Sequence, residues 1–175
     1  MQTRELLIEH AAYSFRELLE SIEGLSEQQS WARVELLPDE YLHSEGSILS
    51  TVVHVAAAKQ LYGSCAYRDK EVRWRDMVAQ MESFWPSWED AKKFLQESHD
   101  YWLGTWATES DFTRPVKTFR DADWPSWKVI YTICHHDSYH AGQIQLMRSM
   151  LQPTDTPPPA EGDLWRKYCG ELPSW

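Results

Sequence analysis

Four stretches of the chain, about 2–23, 47–67, 87–108 and 126–151, place apolar side chains at helical spacing. Each is fenced by a residue that starts or stops a helix. In the first, Leu7, Ala11, Ser14, Leu18 and Ile22 share one face, Arg4, Glu5, Arg16 and Glu20 look outward, and Gly24 is a stop. In the second, Ser47 follows Gly46 and suits an N-cap. That stretch, SILSTVVHVAAAKQLYGSCAY, is rich in small and β-branched residues, but its length of about 20 favours a buried helix over a strand. In the third, Ser87 with Asp90 resembles a capping box ahead of the stripe Trp88, Ala91, Leu95, Trp102 and Trp106. In the fourth, Pro125-Ser126 opens the helix and Pro153 closes it.

Four long helices and no series of strands predict an all-α fold, a four-helix bundle with long connections. Residues 25–46 and 68–86 are long connections containing Pro and charge, and 109–125 is irregular with a few β-prone residues. The length suits one domain. We place it at 1–152, with 153–175 as a proline-rich tail. Its QPTDTPPP is a stiff spacer, and Trp165, Tyr168 and Trp175 are anchors for docking on the domain or on a partner chain.

The formal charge of −10 repels phosphate backbones, so nucleic acid is not an expected partner. No apolar run approaches the ~20 residues of a membrane span, and the N-terminus lacks a signal-peptide pattern. Three scattered cysteines with no CxxC pair point to a reducing compartment, so the expected location is cytoplasmic.

The fourth stretch contains CHHDSYHAGQI, with His136 and His140 four residues apart. At about 100° per residue, His140 lies about 40° from His136, Val129 and Met147 near 20°, and Ile133 near 60°. Both imidazoles therefore sit in the middle of the core-facing stripe. His135 falls at its edge, Cys134 about 160° away, and Asp137 to the side, toward water. Imidazoles in an apolar stripe need partners for their nitrogens. Spacing of i, i+4 on a helix is also how metalloprotease helices hold Zn²⁺. A third ligand must then come from another helix. His54 is the candidate, mid-helix in the second stretch among Ser50, Thr51, Ala57 and Ala58, whose small side chains leave room beside it. Hydrogen-bonded core histidines are the other reading of the same pattern. His10 flanks the apolar face of the first helix, while His43 and His99 are expected in solvent.

STVVHVAAAKQ on one helix and HHDSYHAGQI on another resemble the DinB-like (YfiT-like) metalloenzyme family. Ala141 stands where that family often carries Arg. The resemblance covers helix order, both motifs and nearly the whole chain outside the proline-rich tail. It implies a four-helix bundle, metal ligands His54, His136 and His140, a divalent transition metal such as Zn²⁺ or Ni²⁺, and pairing as a homodimer. It also implies transfer or isomerisation chemistry on a small-molecule substrate, with a low-molecular-weight thiol such as bacillithiol or mycothiol.

Three neutral imidazoles leave an ion's charge uncompensated and a coordination position open. Such a site suits thiol-dependent S-transfer, metal-assisted hydrolysis, or a non-catalytic binding role with a structural ion. Glu9 or Glu17 is a candidate carboxylate behind a ligand histidine. Gln143 is either a site residue or a packing residue, and Gly142 is expected to allow close helix approach. The ten tryptophans exceed ordinary core needs, so Trp85, Trp88, Trp102, Trp106, Trp124 and Trp127 are core residues or walls of a pocket.

Overall fold

The computed structural model describes residues 3–33, 46–73, 75, 77 and 87–151. The expected helices form with nearly the expected bounds: α1 Thr3–Ile22, α3 Ile48–Tyr67, α4 Trp88–Trp106 and α5 Ser126–Met150. Two of the caps are those read from the sequence. Ser47 Oγ accepts from the Ser50 N–H, and Ser87 Oγ from the Asp90 N–H. A short helix that the sequence reading did not contain, α2 Glu27–Trp31, follows α1. Ser26 and Gln29 close a capping box on it. Its Glu27 carboxylate accepts from the Trp88 N–H at 3.1 and 3.2 Å, so it also caps α4.

The 109–125 connection is less irregular than expected. It holds a two-stranded antiparallel ribbon, β1 Pro115–Lys117 with β2 Asp123–Pro125, in which Val116 faces Trp124. Buried Val116 packs with Ala66 and Val129, which pins the ribbon beside the start of α5. The tail and the connection 34–45 lie outside the described residues, as do His43, Trp85 and the anchors Trp165, Tyr168 and Trp175.

Contacts fix the helix directions. Glu17 with Ser138 and Ser21 with Arg148 make α1 parallel to α5. Gln60 with Ser98 and Arg68 with Gly104 make α3 parallel to α4. Lys59 with Asp137 and Tyr67 with Ser126 make α3 antiparallel to α5. Two parallel neighbours in sequence cannot be joined by a tight turn. From Tyr67 the chain must return a helix length, about 30 Å, before α4 begins. At Gly63 side chains of α4 pack against α3, since a Cβ there would meet the Thr105 side chain at 3.1 Å and the Trp102 side chain at 3.4 Å.

The core divides along the bundle axis. Phe15, Leu18, Val52, Val53, Leu95, Ile144 and Met147 belong to one apolar cluster. Leu7, Ala11, Trp102, Trp106, Ile130 and Ile133 belong to another. At the junction lies a polar layer that includes Ser14, Lys59, Ser98, His99, Asp137 and His140, all buried. Among the described residues, no helix is long and apolar enough to cross a membrane.

Candidate metal centre

His54 from α3 meets His136 and His140 from α5 within the polar layer. His140 is fully buried, and His54 and His136 are half-buried. The Nε2 atoms of His54 and His136 lie 3.2 Å apart, and those of His140 and His136 lie 3.1 Å apart. The ring centroids form a compact triangle with sides of 5.1, 5.1 and 4.3 Å.

Hydrogen bonding does not explain this convergence. A neutral imidazole nitrogen carries either one N–H or one lone pair. His136 Nε2 can therefore serve one neighbour well, yet it stands within bonding distance of two. A shared cation explains it directly. With metal–nitrogen bonds of about 2.0–2.1 Å, neighbouring ligand nitrogens lie about 2.9 Å apart in an octahedron and about 3.4 Å apart in a tetrahedron. The 3.1 and 3.2 Å separations from His136 Nε2 fall between these values, and the ligand atoms of all three histidines lie within 4.8 Å of one another. The donor set also fits a borderline transition ion, since all three ligands are imidazoles. Among the described residues, these three histidines form the group with metal-ligand spacing.

The surroundings of the triad differ in part from the sequence reading. Of the two candidate carboxylates on α1, Glu17 reaches α5. It accepts from Ser138 Oγ at 2.7 Å, between the two α5 histidines in sequence. Gln143 donates to the Tyr139 hydroxyl at 3.0 Å. Tyr139, which sequence reasoning did not single out, is half-exposed and sets its ring edge-on to His140 at 5.1 Å. It is an aromatic lip beside the ligands, legible only as the residue preceding His140. Gly142 does not mediate a close approach. A Cβ there would meet nothing within 4 Å, and the close approach lies at Gly63 instead.

The tryptophans divide by place. Trp88, Trp102 and Trp106 are buried in the apolar clusters. Trp127 is 43% exposed at the start of α5, beside Tyr131, and Trp124 lies under the Lys128 ammonium. His10 stacks on Tyr131 at 5.5 Å, and His135 stacks on the same ring.

Two further expectations fail outright. His99 is not solvated. It is buried and stacked on Phe15 at 3.6 Å, and burial, followed by the nearby Lys59 charge, holds its pKa down at about 3. Asp137 does not face water. It is fully buried and accepts from Lys59 Nζ at 2.5 Å, with both side chains fully shielded. Burial pulls the Lys59 pKa down and the Asp137 pKa up, and each opposes the other's shift. The helical-wheel estimate put Asp137 at the flank of the stripe. It missed that α5 has a neighbour on that flank too.

Cys134 sits in the apolar cluster, away from the triad as expected. Burial pushes its thiol up to about 12, and that of Cys65 up to about 11.

A search of the curated proteins found no match. The sequence pattern of the DinB superfamily, by contrast, matches residues 6–144, a span that takes in most of α1, all of α2 to α4 and the triad-bearing part of α5. The helical fold and the three-histidine cluster agree with that match, and the chain belongs to the DinB superfamily.

Proposed function

We propose that this protein is a metal-dependent enzyme that transfers a low-molecular-weight thiol to a small-molecule electrophile. The observation that carries this reading is the convergence of three imidazole nitrogens from two helices, with one nitrogen in contact with both others. His54, His136 and His140 would hold a divalent transition ion such as Zn²⁺ or Ni²⁺. Bound there, such an ion supplies an electrophilic position that favours thiolate over thiol at neutral pH.

Among the described residues, the cysteines support a thiol that comes from outside. Cys65 and Cys134 are buried, free and held as thiols by their raised pKa values. Neither supplies a nucleophile at pH 7. The half-exposed His54 and His136 give the triad a side toward solvent, and Tyr139 offers an apolar ring beside it. Glu17 and Ser138 hold α1 against the ligand-bearing stretch of α5 and so help fix its orientation.

Pairing of two copies is part of the same reading. It is supported by the exposed large side chains Leu6 and Tyr13 on α1 and Tyr131, Tyr139 and Leu146 on α5. So is a cytoplasmic location, where the cysteines stay reduced.

The test is a screen of thiols and electrophiles, with Zn²⁺- or Ni²⁺-loaded protein beside chelator-treated protein and His140→Ala. Metal-dependent loss of thiol together with electrophile, abolished in the variant, is the expected result. Metal-dependent hydrolysis without thiol consumption would replace transfer by water activation. Loss of folding on chelation without any turnover would make the ion structural.

A further inference from the structure

We propose that the Lys59–Asp137 pair is the positioning element of the triad: it sets the register of α3 against α5, and the meeting of His54 with His136 and His140 depends on it. The two contacts join the same helices at neighbouring levels. Asp137 follows His136 directly, and Lys59 lies five residues beyond His54, about 7.5 Å along α3.

Apolar packing does not by itself define that register. Val52, Val53, Val55 and Ala56 are each 0% exposed and Ala57 is 3% exposed, so α3 is buried on nearly every side around the ligand. That stretch has no polar face to fix its rotation, and another polar link between the two helices, Tyr67 to Ser126, lies at the far end of α3. A buried ammonium and carboxylate resist a slide of one helix past the other, because displacement leaves charges unpaired in the core. Fixing register is the best-attested use of such buried polar pairs.

Lys59 also ties the pair to the rest of the bundle. Its ammonium donates to Asp137 of α5 at 2.5 Å and lies 4.9 Å from the Trp102 ring of α4 and 5.2 Å from the Phe15 ring of α1. One charged group on α3 thus touches all three of the other long helices. A slip of a single residue, about 1.5 Å, already exceeds the tolerance of about 0.2 Å that a metal site allows its ligand distances.

The test compares wild type with the double variant Lys59→Met/Asp137→Leu, which replaces the pair by apolar groups of similar length. Two readings are taken. The first, in metal-free protein, is the set of NMR contacts between the imidazole protons of His54 and those of His136 and His140. The second is Co²⁺ and Zn²⁺ affinity by chelator competition, with the visible spectrum of the Co²⁺ form. Our expectation is a folded helical protein whose inter-histidine contacts are lost, whose Zn²⁺ affinity falls roughly tenfold or more, and whose Co²⁺ spectrum changes. Retained contacts with unchanged affinity would overturn the proposal, whatever happened to stability. This inference rests on the metal reading only in its second arm. If wild type binds no metal, the metal reading fails and the proton contacts alone decide the register. Where the double variant does not fold, Asp137→Asn carries the same two readings, since its amide oxygen still accepts from Lys59 but without the charge.

Discussion

Neighbouring residues on α5, His136 and Asp137, enter two different polar settings. The first joins a triad with partly exposed members whose nitrogens crowd one point. The second joins an ion pair that is fully buried. Both cross from α5 to α3, and both interrupt an otherwise apolar core. They differ in how they are made. The ion pair sets opposite charges against each other, with the Trp102 and Phe15 rings near the ammonium. The triad brings three imidazoles together, with His136 Nε2 within bonding distance of two other ring nitrogens. Opposite charges paired in the core are a structural device. Like donors that converge on one point are a binding device.

That contrast can be broken first by removing one side of each. Asp137→Ala leaves the Lys59 ammonium buried without its carboxylate. We expect a loss of about 3–5 kcal/mol in urea unfolding of the metal-free protein. His136→Ala, at a half-buried position, should cost about 1 kcal/mol or less in the same measurement. Equal costs would erase the distinction.

The next effect belongs to the triad alone. Zn²⁺ at a hundredfold excess over its Kd should stabilise wild type by about 2.7 kcal/mol and His140→Ala by nothing measurable. Asp137→Asn, if folded, should respond to Zn²⁺ less than wild type does. Thermal unfolding with and without metal reads both.

A third test sharpens the buried side. His99 has a folded-state pKa of about 3, depressed by burial and by Lys59. A histidine with a depressed folded pKa gives stability that is fully present above its unfolded value near 6.5 and is lost as pH falls toward 3. In metal-free protein its part of the pH dependence should approach about 1.4 kcal/mol per pH unit across that window. His99→Phe should flatten the slope there and leave it unchanged above pH 7. The smallest effect is at Gly142, where a Cβ meets open space. Gly142→Ala should stabilise the helix by about 0.5–1 kcal/mol without altering metal affinity, as measured by urea unfolding and chelator competition.

How much of this was legible in the sequence follows the same division. The four long helices were readable because Ser47, Ser87 and Pro125 mark their starts and their periodicity runs for five turns or more. The triad was readable because its spacing is local on α5 and because His54 stands out in a run of small apolar residues. The short helix Glu27–Trp31 and the three-residue strands of the ribbon are too brief for any period to show. The Lys59–Asp137 pair was missed for a different reason. Pattern reading assigns charge to water, and the partners lie 78 residues apart. Lys59 interrupting VVHVAAAKQL was the available hint. The same assumption misplaced His99, whose position three residues before Trp102 puts it on the core stripe. The place of Gly142 in the motif suggests a close-approach glycine, whereas glycine in a helix has that role only where a neighbouring helix packs against it, as the Thr105 and Trp102 side chains do at Gly63.

The most direct measurement is the elemental content of tag-free protein, wild type beside His54→Ala, His136→Ala and His140→Ala, with circular dichroism on all four. The account predicts close to one equivalent of a divalent transition metal in wild type after reconstitution with Zn²⁺ or Ni²⁺, and its loss from every variant while helicity is kept. Absence of metal from reconstituted wild type, or retention of it by folded variants, would contradict the account and leave the three histidines as core residues.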